Sequence, residues 1–313
     1  MLKSVPMDEV IQVDGLVKRF GNLTAVDGVS FTVNRGEIFG IVGPNGAGKT
    51  TTLEIIEGLQ RATTGQVRVL EMDINSTPVA IKERIGVQLQ ASAYFDYLTL
   101  VEILDLFGSF YSTHIPPMEL LEMVDLQDKA NTVLKKLSGG QKQRFTVAAS
   151  LVNDPELIIL DEPSTGLDPA ARHSLWDLIR RVHSQGKTLV LTTHYMEEAQ
   201  TLCHRVAIMD RGKILALDSI PKLIQSLDAA YRVILTTSKP LDLPREEPPL
   251  WEVEGPADGD NASLRLRVKD PPKVLSKIMD QAARQGITIE DLQVVPATLE
   301  DVFLELTGHG ILE

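Results

Sequence analysis

The apolar run 38–42 leads at once into Gly43-Pro-Asn-Gly-Ala-Gly48-Lys49-Thr50, a G-x-x-x-x-G-K-[ST] pattern, and no other stretch of the 313 residues restricts the fold as tightly. Glycines at these positions let a chain leave a strand, turn its N–H groups inward and enter a helix without Cβ atoms in the way. The helix expected from about Thr50 aims the positive end of its dipole at the same point. Such a turn cradles a phosphate chain: Lys49 reaches the β and γ phosphates of a nucleotide, and the Thr50 hydroxyl can ligate Mg2+. The pattern asks for a strand–loop–helix unit, and so for an α/β domain.

Further apolar runs at 157–160, 189–192 and 206–209 are strand-sized, and most are followed by helix-like segments. That alternation, through residue 222, predicts parallel strands at the centre of the domain. Over 92–149 the pattern turns helical. Val101, Leu104 and Phe107, then Leu120, Leu121 and Val124, recur at helix spacing, which predicts a helical subdomain inserted between core strands. From 223 onward the chain is more acidic, with 9 basic and 16 acidic residues against 22 and 27 before it. A proline-rich stretch at 239–249 reads as a loop there, with strand-like pieces at 231–236, 264–268 and 287–295. A helix is expected over 271–285, with Val274, Leu275, Ile278, Met279 and Ala282 on one face. Thr298 and Asp301 resemble a capping pair for a last helix striped by Leu299, Val302, Phe303 and Leu306. The expected division is an α/β domain over 8–222 and a small α+β domain over 223–313.

The chain carries 31 Lys and Arg against 43 Asp and Glu, a formal charge of −12, which argues against nucleic acid as a partner. No run reaches 18 apolar residues and residues 1–9 lack the apolar segment of a secretory signal. The chain is therefore expected not to cross a membrane by itself, although a partner can hold it there. The one cysteine, Cys203, allows neither an internal disulfide nor a Cys-based zinc site and fits a reducing, cytosolic setting.

The run 157–160 ends in Asp161 and Glu162, and the carboxyl ends of parallel strands are where ligands of such sheets bind. Asp161 is expected to hold Mg2+, directly or through water. Glu162, pointing the other way in the pleat, is expected to polarise the water that attacks a γ-phosphate. His194 ends the run that starts at Leu189, at the matching end of the sheet, and is read as a sensor of that phosphate. The histidines at 114, 173, 183, 204 and 309 show no metal spacing. Leu137-Ser138-Gly139-Gly140-Gln141 reads as a Ser-capped helix start with two flexible glycines, a second anion site.

Taken in order, the phosphate loop, the Leu137–Gln141 motif, the Asp161-Glu162 strand end and His194 closely resemble the ATP-binding cassette of ABC transporters, over about residues 8–222. The resemblance implies a P-loop NTPase core of the ABC type and ATP with Mg2+ as cofactors. The nucleotide would be held by Gly43, Pro44, Asn45, Gly46, Ala47, Gly48, Lys49, Thr50 and Thr51. Phe20 falls where the family stacks an aromatic on adenine. Gln90 matches the glutamine that joins Mg2+ and the attacking water to a transmembrane partner; Leu89 stands where proline is usual, and Gln88 is a second candidate. The catalytic set implied is Glu162, His194, Gln90 and Lys49, and the metal set is Thr50, Gln90 and Asp161. Asp168 closes Ser164-Thr-Gly-Leu-Asp168, which resembles the loop that communicates between paired subunits. In this family Ser138, Gly139, Gly140 and Gln141 of one cassette complete the ATP site of another, so two copies sandwich two ATP molecules head to tail.

The ending Pro296-Ala-Thr-Leu-Glu-Asp-Val-Phe-Leu-Glu-Leu-Thr-Gly308 is similar to that of daunorubicin-resistance-type ATPase subunits, which serve ABC-2 class exporters. It implies a homodimer that powers export through separate ABC-2 type permease subunits at the cytoplasmic face of the cell membrane. The C-terminal domain is expected to stabilise that dimer or limit its opening. The aromatic run Tyr94-Phe95-Asp-Tyr97 falls near the coupling groove, where partner contact and plain packing are both open readings. The rival reading is a soluble ABC ATPase that drives a non-transport process such as assembly of a protein scaffold. A module that binds nucleotide without hydrolysis is disfavoured by Glu162 and His194.

Overall fold

The computed structural model describes residues 8–88, 95, 97–243, 251–255 and 263–308. They divide into two compact units, the first ending at Ser219 and the second beginning at Ile220. The first unit opens with two long strands, β1 (Glu9–Phe20) and β2 (Leu23–Asn34), followed by β3 (Ile38–Val42) and α1 (Lys49–Ile56). Then come β4 (Thr64–Val69), the short β5 (Met72–Asp73), α2 (Pro78–Lys82) and β6 (Ile85–Gln88). Three helices, α3 (Leu100–Gly108), α4 (Pro117–Met123) and α5 (Gly139–Ser150), separate β6 from β7 (Leu157–Asp161). The unit closes with α6 (Pro169–Ser184), β8 (Thr188–Thr193), α7 (Met196–Leu202), β9 (Arg205–Asp210) and β10 (Lys213–Ser219).

A six-stranded sheet in the order β10-β9-β3-β8-β7-β6 forms the centre, parallel from β9 to β6 with β10 antiparallel at the edge. Its strands are covered on both faces. Ile158 and Leu160 of β7 pack among residues of α3 to α6, whereas Leu157 and Ile159 join the core formed with α1 and the strands β1, β2 and β4. Burial of both faces is why β7 reads as an unbroken apolar run.

A second, antiparallel sheet, β2-β1-β4-β5, is absent from the sequence reading. The register of β1 against β2 shifts between Val13 and Leu16 and again between Leu16 and Lys18. Such irregularities break the two-residue alternation that marks a strand. Phe31 of β2 stacks on Phe39 of β3 with ring centres 5.3 Å apart and nearly parallel planes, joining the two sheets.

The helical segment between β6 and β7 is as expected, with one shift of face. Thr99 caps α3 through a reciprocal pair with Glu102, and the buried stripe of the helix is Leu100, Ile103 and Leu104. Val101 and Phe107, expected on that stripe, are half-buried. Leu120, Leu121 and Val124 are fully buried.

The second unit contains α8 (Ile220–Gln225), β11 (Tyr231–Thr237), β12 (Trp251–Gly255), β13 (Ser263–Val268), α9 (Pro271–Gln285), β14 (Ile289–Pro296) and α10 (Leu299–Thr307). Its antiparallel sheet runs β12-β13-β11-β14. Val233, Leu235, Leu266 and Val268 pack on Val274, Ile278 and Ala282 of α9. Arg232 and Arg267 are paired across the strands and alternate with those residues. They reach Asp301 and Glu305 of α10 at 2.7 and 2.6 Å, which sets α10 on the opposite face. Thr298 and Asp301 do form the capping pair at its start. Met279 and Leu306, expected on the apolar faces, are 55% and 43% exposed. One sheet face covers only a narrow stripe of a helix lying on it, so the edges of each apolar face stay in solvent.

Candidate functional site

The site is built where β3 passes into α1. Gly48 caps α1 with φ +101, and a Cβ there would lie 2.4 Å from the carbonyl oxygen of Ala25 in β2. At Gly43 a Cβ would lie 2.0 Å from the carbonyl oxygen of Met209 in β9. Neither contact can be relieved without moving backbone, so β2 and β9 clamp the loop in one shape.

Lys49, at the first turn of α1, is 4% exposed. Its Nζ donates to the carbonyl oxygens of Gly43 and Pro44 at 2.9 and 3.0 Å and lies 3.4 Å from Glu162 Oε1. Burial lowers its pKa below the ordinary lysine value against the opposing pull of Glu162 and Asp161. The Thr50 hydroxyl donates to Asp161 Oδ2 at 3.0 Å, with Oδ1 at 3.3 Å. The Thr192 hydroxyl also donates to Asp161 and accepts the Glu162 N–H at 3.0 Å. Burial raises the Asp161 pKa, outweighing the hydroxyl donors. A carboxylate and a hydroxyl oxygen in contact form a hard-oxygen set that suits Mg2+, which takes one or two protein ligands and completes its shell with water and phosphate oxygens. Among the described residues no three His, Cys, Asp or Glu side chains converge as a metal cage.

Glu162 corrects the pleat argument. It lies one residue past the end of β7 with φ +48, a left-handed conformation uncommon for a residue with a side chain. Its direction is set by this turn and not by strand alternation. The Thr165 hydroxyl donates to Oε2 at 3.1 Å. His194 Nδ1 lies 3.2 Å from the same oxygen, within ion-pair range although the ring is not aligned for a hydrogen bond. Burial pushes the Glu162 carboxyl up, but Lys49, His194 and Thr165 together hold it below the ordinary glutamate value. The group is therefore ionised at neutral pH and can accept a hydrogen bond from a water molecule.

An open cavity of about 600 Å³ brings together Phe20, Asn45, Gly46, Gly48, Lys49, Thr50, Thr51, Glu162 and His194. Phe20 stands at its edge, 45% exposed, with the Lys18 ammonium 4.7 Å from the ring centre. Leu23, Ala25 and Thr165 also line the cavity and were not anticipated. Nor was Thr192, although a run ending Thr192-Thr193-His194 places hydroxyls at the carboxyl end of a core strand, a signal that was available.

Other expected residues lie elsewhere. None of Ser138, Gly139, Gly140 and Gln141 lines this cavity. They start α5, where the Ser138 hydroxyl accepts from Gln141 N–H at 3.3 Å and the Gln141 side chain accepts from Ser138 N–H at 3.0 Å. Ser138 and Gly139 are exposed. Asp168, also exposed, caps α6 by accepting from Ala171 N–H at 2.9 Å. Gln90 and Tyr94 fall outside the described residues; Gln88 is buried at the end of β6.

A parallel sheet that feeds a phosphate loop into a helix, with two acids at the end of another of its strands, defines a P-loop nucleotide-binding domain. The family model for ABC transporters matches residues 26–165, the interval holding the loop, Ser138–Gln141 and both acids. Relatives match over nearly the whole chain. Nod factor export ATP-binding protein I of Ralstonia nicotianae is 36% identical over 305 residues, spanning 96% of this chain and 94% of that protein. Daunorubicin resistance ATP-binding protein DrrA2 of Streptomyces coeruleorubidus is 33% identical, spanning 96% and 95%. Among solved structures, a dimeric ATP-binding cassette in a post-hydrolysis state bound to ADP and Pi aligns with TM-score 0.61 at 28% identity, covering 67% of this chain and 98% of that one. A nucleotide-free cassette from an ABC transporter aligns with TM-score 0.62 at 26% identity, covering 67% and 91%.

The chain belongs to the ABC transporter family as an ATP-binding subunit. The similarity read from its ending at 296–308 holds, since daunorubicin-resistance proteins are among its full-length relatives.

Proposed function

We propose that this chain hydrolyses ATP as the motor subunit of an exporter whose membrane-spanning subunits are separate polypeptides. The observation that carries the reading is the gathering of Lys49, Thr50, Glu162 and His194 at one cavity, with Asp161 bonded to Thr50 behind it, while the Ser138–Gln141 helix start lies outside it. A nucleotide site built from one chain alone lacks a cover over its γ-phosphate. A second copy can supply it, because α5 offers the N–H groups of Gly139 and Gly140 and its positive dipole end to an anion. Two chains would then close head to tail over two ATP molecules, with Asp168 beside the shared surface.

In this reading Phe20 stacks on the adenine, the residues from Gly43 to Thr51 wrap the phosphates, and Lys49 moves from the loop carbonyls to the β and γ oxygens. Thr50 and Asp161, with Gln90, would hold Mg2+, which neutralises charge on the phosphates when bound. Glu162 orients the attacking water through its carboxylate, and His194 steadies Glu162 and senses the γ-phosphate. Loss of that phosphate removes the charge bridging the two copies, and the halves part.

A groove on the first unit, of about 380 Å³, provides the partner surface in this reading. Ile85, Val87, Phe107 and Tyr111 form its walls, and Leu59 and Phe110 stand 53% and 68% exposed at its mouth. Aromatic and aliphatic side chains left in solvent around a concave apolar site suit a docked helix from a permease subunit. Among the described residues no helix is long and apolar enough to cross a membrane, so attachment at the cytoplasmic membrane face would run through that partner. Export rather than scaffold assembly is favoured because the full-length relatives carry export and drug-resistance names.

The test is ATP turnover and dimer mass for the native chain and Glu162→Gln. Turnover is expected to fall at least about 100-fold in the variant, as for loss of a general base. ATP is expected to trap the variant as a dimer. Unchanged turnover in Glu162→Gln would falsify the assignment of that residue.

A further inference from the structure

Glu57 lies at the end of α1, on the floor of the groove just described, and is 2% exposed. Among the described residues, neither of its carboxyl oxygens has a hydrogen-bond partner. The polar groups around it are engaged with other atoms. The Ser150 hydroxyl donates to the Val147 carbonyl oxygen, and the Asn153 amide donates to the carbonyl oxygens of Glu83 and Ile85. Lys82, at the rim, keeps its side chain in solvent. A buried acid with both oxygens unsatisfied is costly in any fold, and the remainder of the groove is mostly aliphatic and aromatic. The two free oxygens lie side by side, which matches the forked pair of N–H donors on a guanidinium.

We infer that Glu57 is the selectivity residue of the groove, and that its occupant is a helix presenting one arginine to Glu57 from an otherwise apolar face. This rests on the docking reading above and adds to it the chemistry of the partner. Burial, with Asp161 and Glu54 nearby, pushes the free carboxyl up to about 8. An arriving guanidinium draws it into the ionised form and supplies the missing donors. Lys82 at the rim disfavours a second basic group, so the recognised pattern is a single cation among apolar residues. A neutral apolar helix fills the walls and leaves the acid unsatisfied.

The experiment uses the full chain at pH 8 and two fluorescent amphipathic helical peptides, identical except for a central arginine or norleucine and otherwise uncharged. The arginine peptide is expected to bind the native chain roughly tenfold more tightly than the norleucine peptide. In Glu57→Gln and Glu57→Leu that preference is expected to shrink to less than about threefold or reverse. Phe110→Ser is expected to weaken both peptides on the native background. Glu57→Leu is also expected to raise the melting temperature by roughly 3 °C or more, because an unsatisfied acid has been removed from the interior. Equal affinity of both peptides for the native chain, with loss of both in Phe110→Ser, overturns the role of Glu57 and leaves the groove as a docking site. Failure of both peptides to bind overturns the groove reading together with the inference.

Discussion

Three buried acids of the first unit show how position alone divides their chemistry. Glu162 is held ionised by Lys49, His194 and Thr165 against the effect of burial. Asp161 is raised by burial, though two hydroxyls donate to it. Glu57 is buried with no donor among the described residues and is raised to about 8 from the ordinary 4.5. The last difference has a sign that can be measured. The unfolded chain releases the Glu57 proton near the ordinary glutamate value, whereas the folded chain keeps it until about 8. Between those pH values the folded state binds more protons, so this residue's contribution to stability falls as pH rises, by about 1.4 kcal/mol per unit, and levels off above pH 8. Glu57→Gln lacks that term. Urea unfolding at pH 5, 6.5 and 8 should show the variant gaining on the native chain at each step, and parallel stability curves would sink the argument. Lys49 and the Asp161-Glu162 pair were legible as residue types in the sequence. The left-handed turn at Glu162 and the isolation of Glu57 were not, because both depend on which backbone and side chains the fold brings alongside.

At the scale of elements, the strands and helices carrying regular periodicity were readable, and those with a broken pattern were not. The span 271–285 and the Thr298–Asp301 cap are local in sequence, so their signals survive without tertiary context. The sheet built on β1 and β2 is irregular in register, and its half-exposed strands gave no clean alternation. Asp301 illustrates how one residue ties element to element. Its carboxylate accepts the Thr298 N–H and hydroxyl at 2.7 and 2.9 Å and pairs with Arg232 at 2.7 Å. Asp301→Ala removes the cap of α10 and the anchor of that helix on β11 together, and is expected to lower unfolding free energy by about 1–3 kcal/mol. Burial would raise the Asp301 carboxyl, yet these partners hold it below the ordinary aspartate value. Its contribution is therefore present above the unfolded pKa and lost as pH falls through the folded one. A native-like denaturation midpoint for the variant at pH 7 would show that α10 is held without Asp301, by its apolar face and the Arg267–Glu305 pair.

On the whole-molecule scale the chain is two units, the first with two sheets and the second with one, each with its own core. We expect the first unit to fold without the second, because its central sheet is complete by Ser219. A chain ending at Ser219 should unfold cooperatively and bind ATP, with any loss of ATP-driven dimerisation marking what the second unit contributes. Calorimetry and dimer mass on that truncation decide the point, and failure of the shortened chain to fold would refute independent units. The sequence alone determined the phosphate loop, the order of the motifs and the apolar strands, since each depends on residues adjacent in the chain or at short, fixed spacing. Tertiary structure decided which of those residues meet. It set Thr192 beside Asp161 and turned Glu162 toward Lys49 and His194. It also left Ser138–Gln141 outside the cavity and enclosed Glu57 without a donor among the described residues. Contacts of this kind join residues far apart in sequence, and burial and hydrogen-bond partners exist only after the sheets have packed.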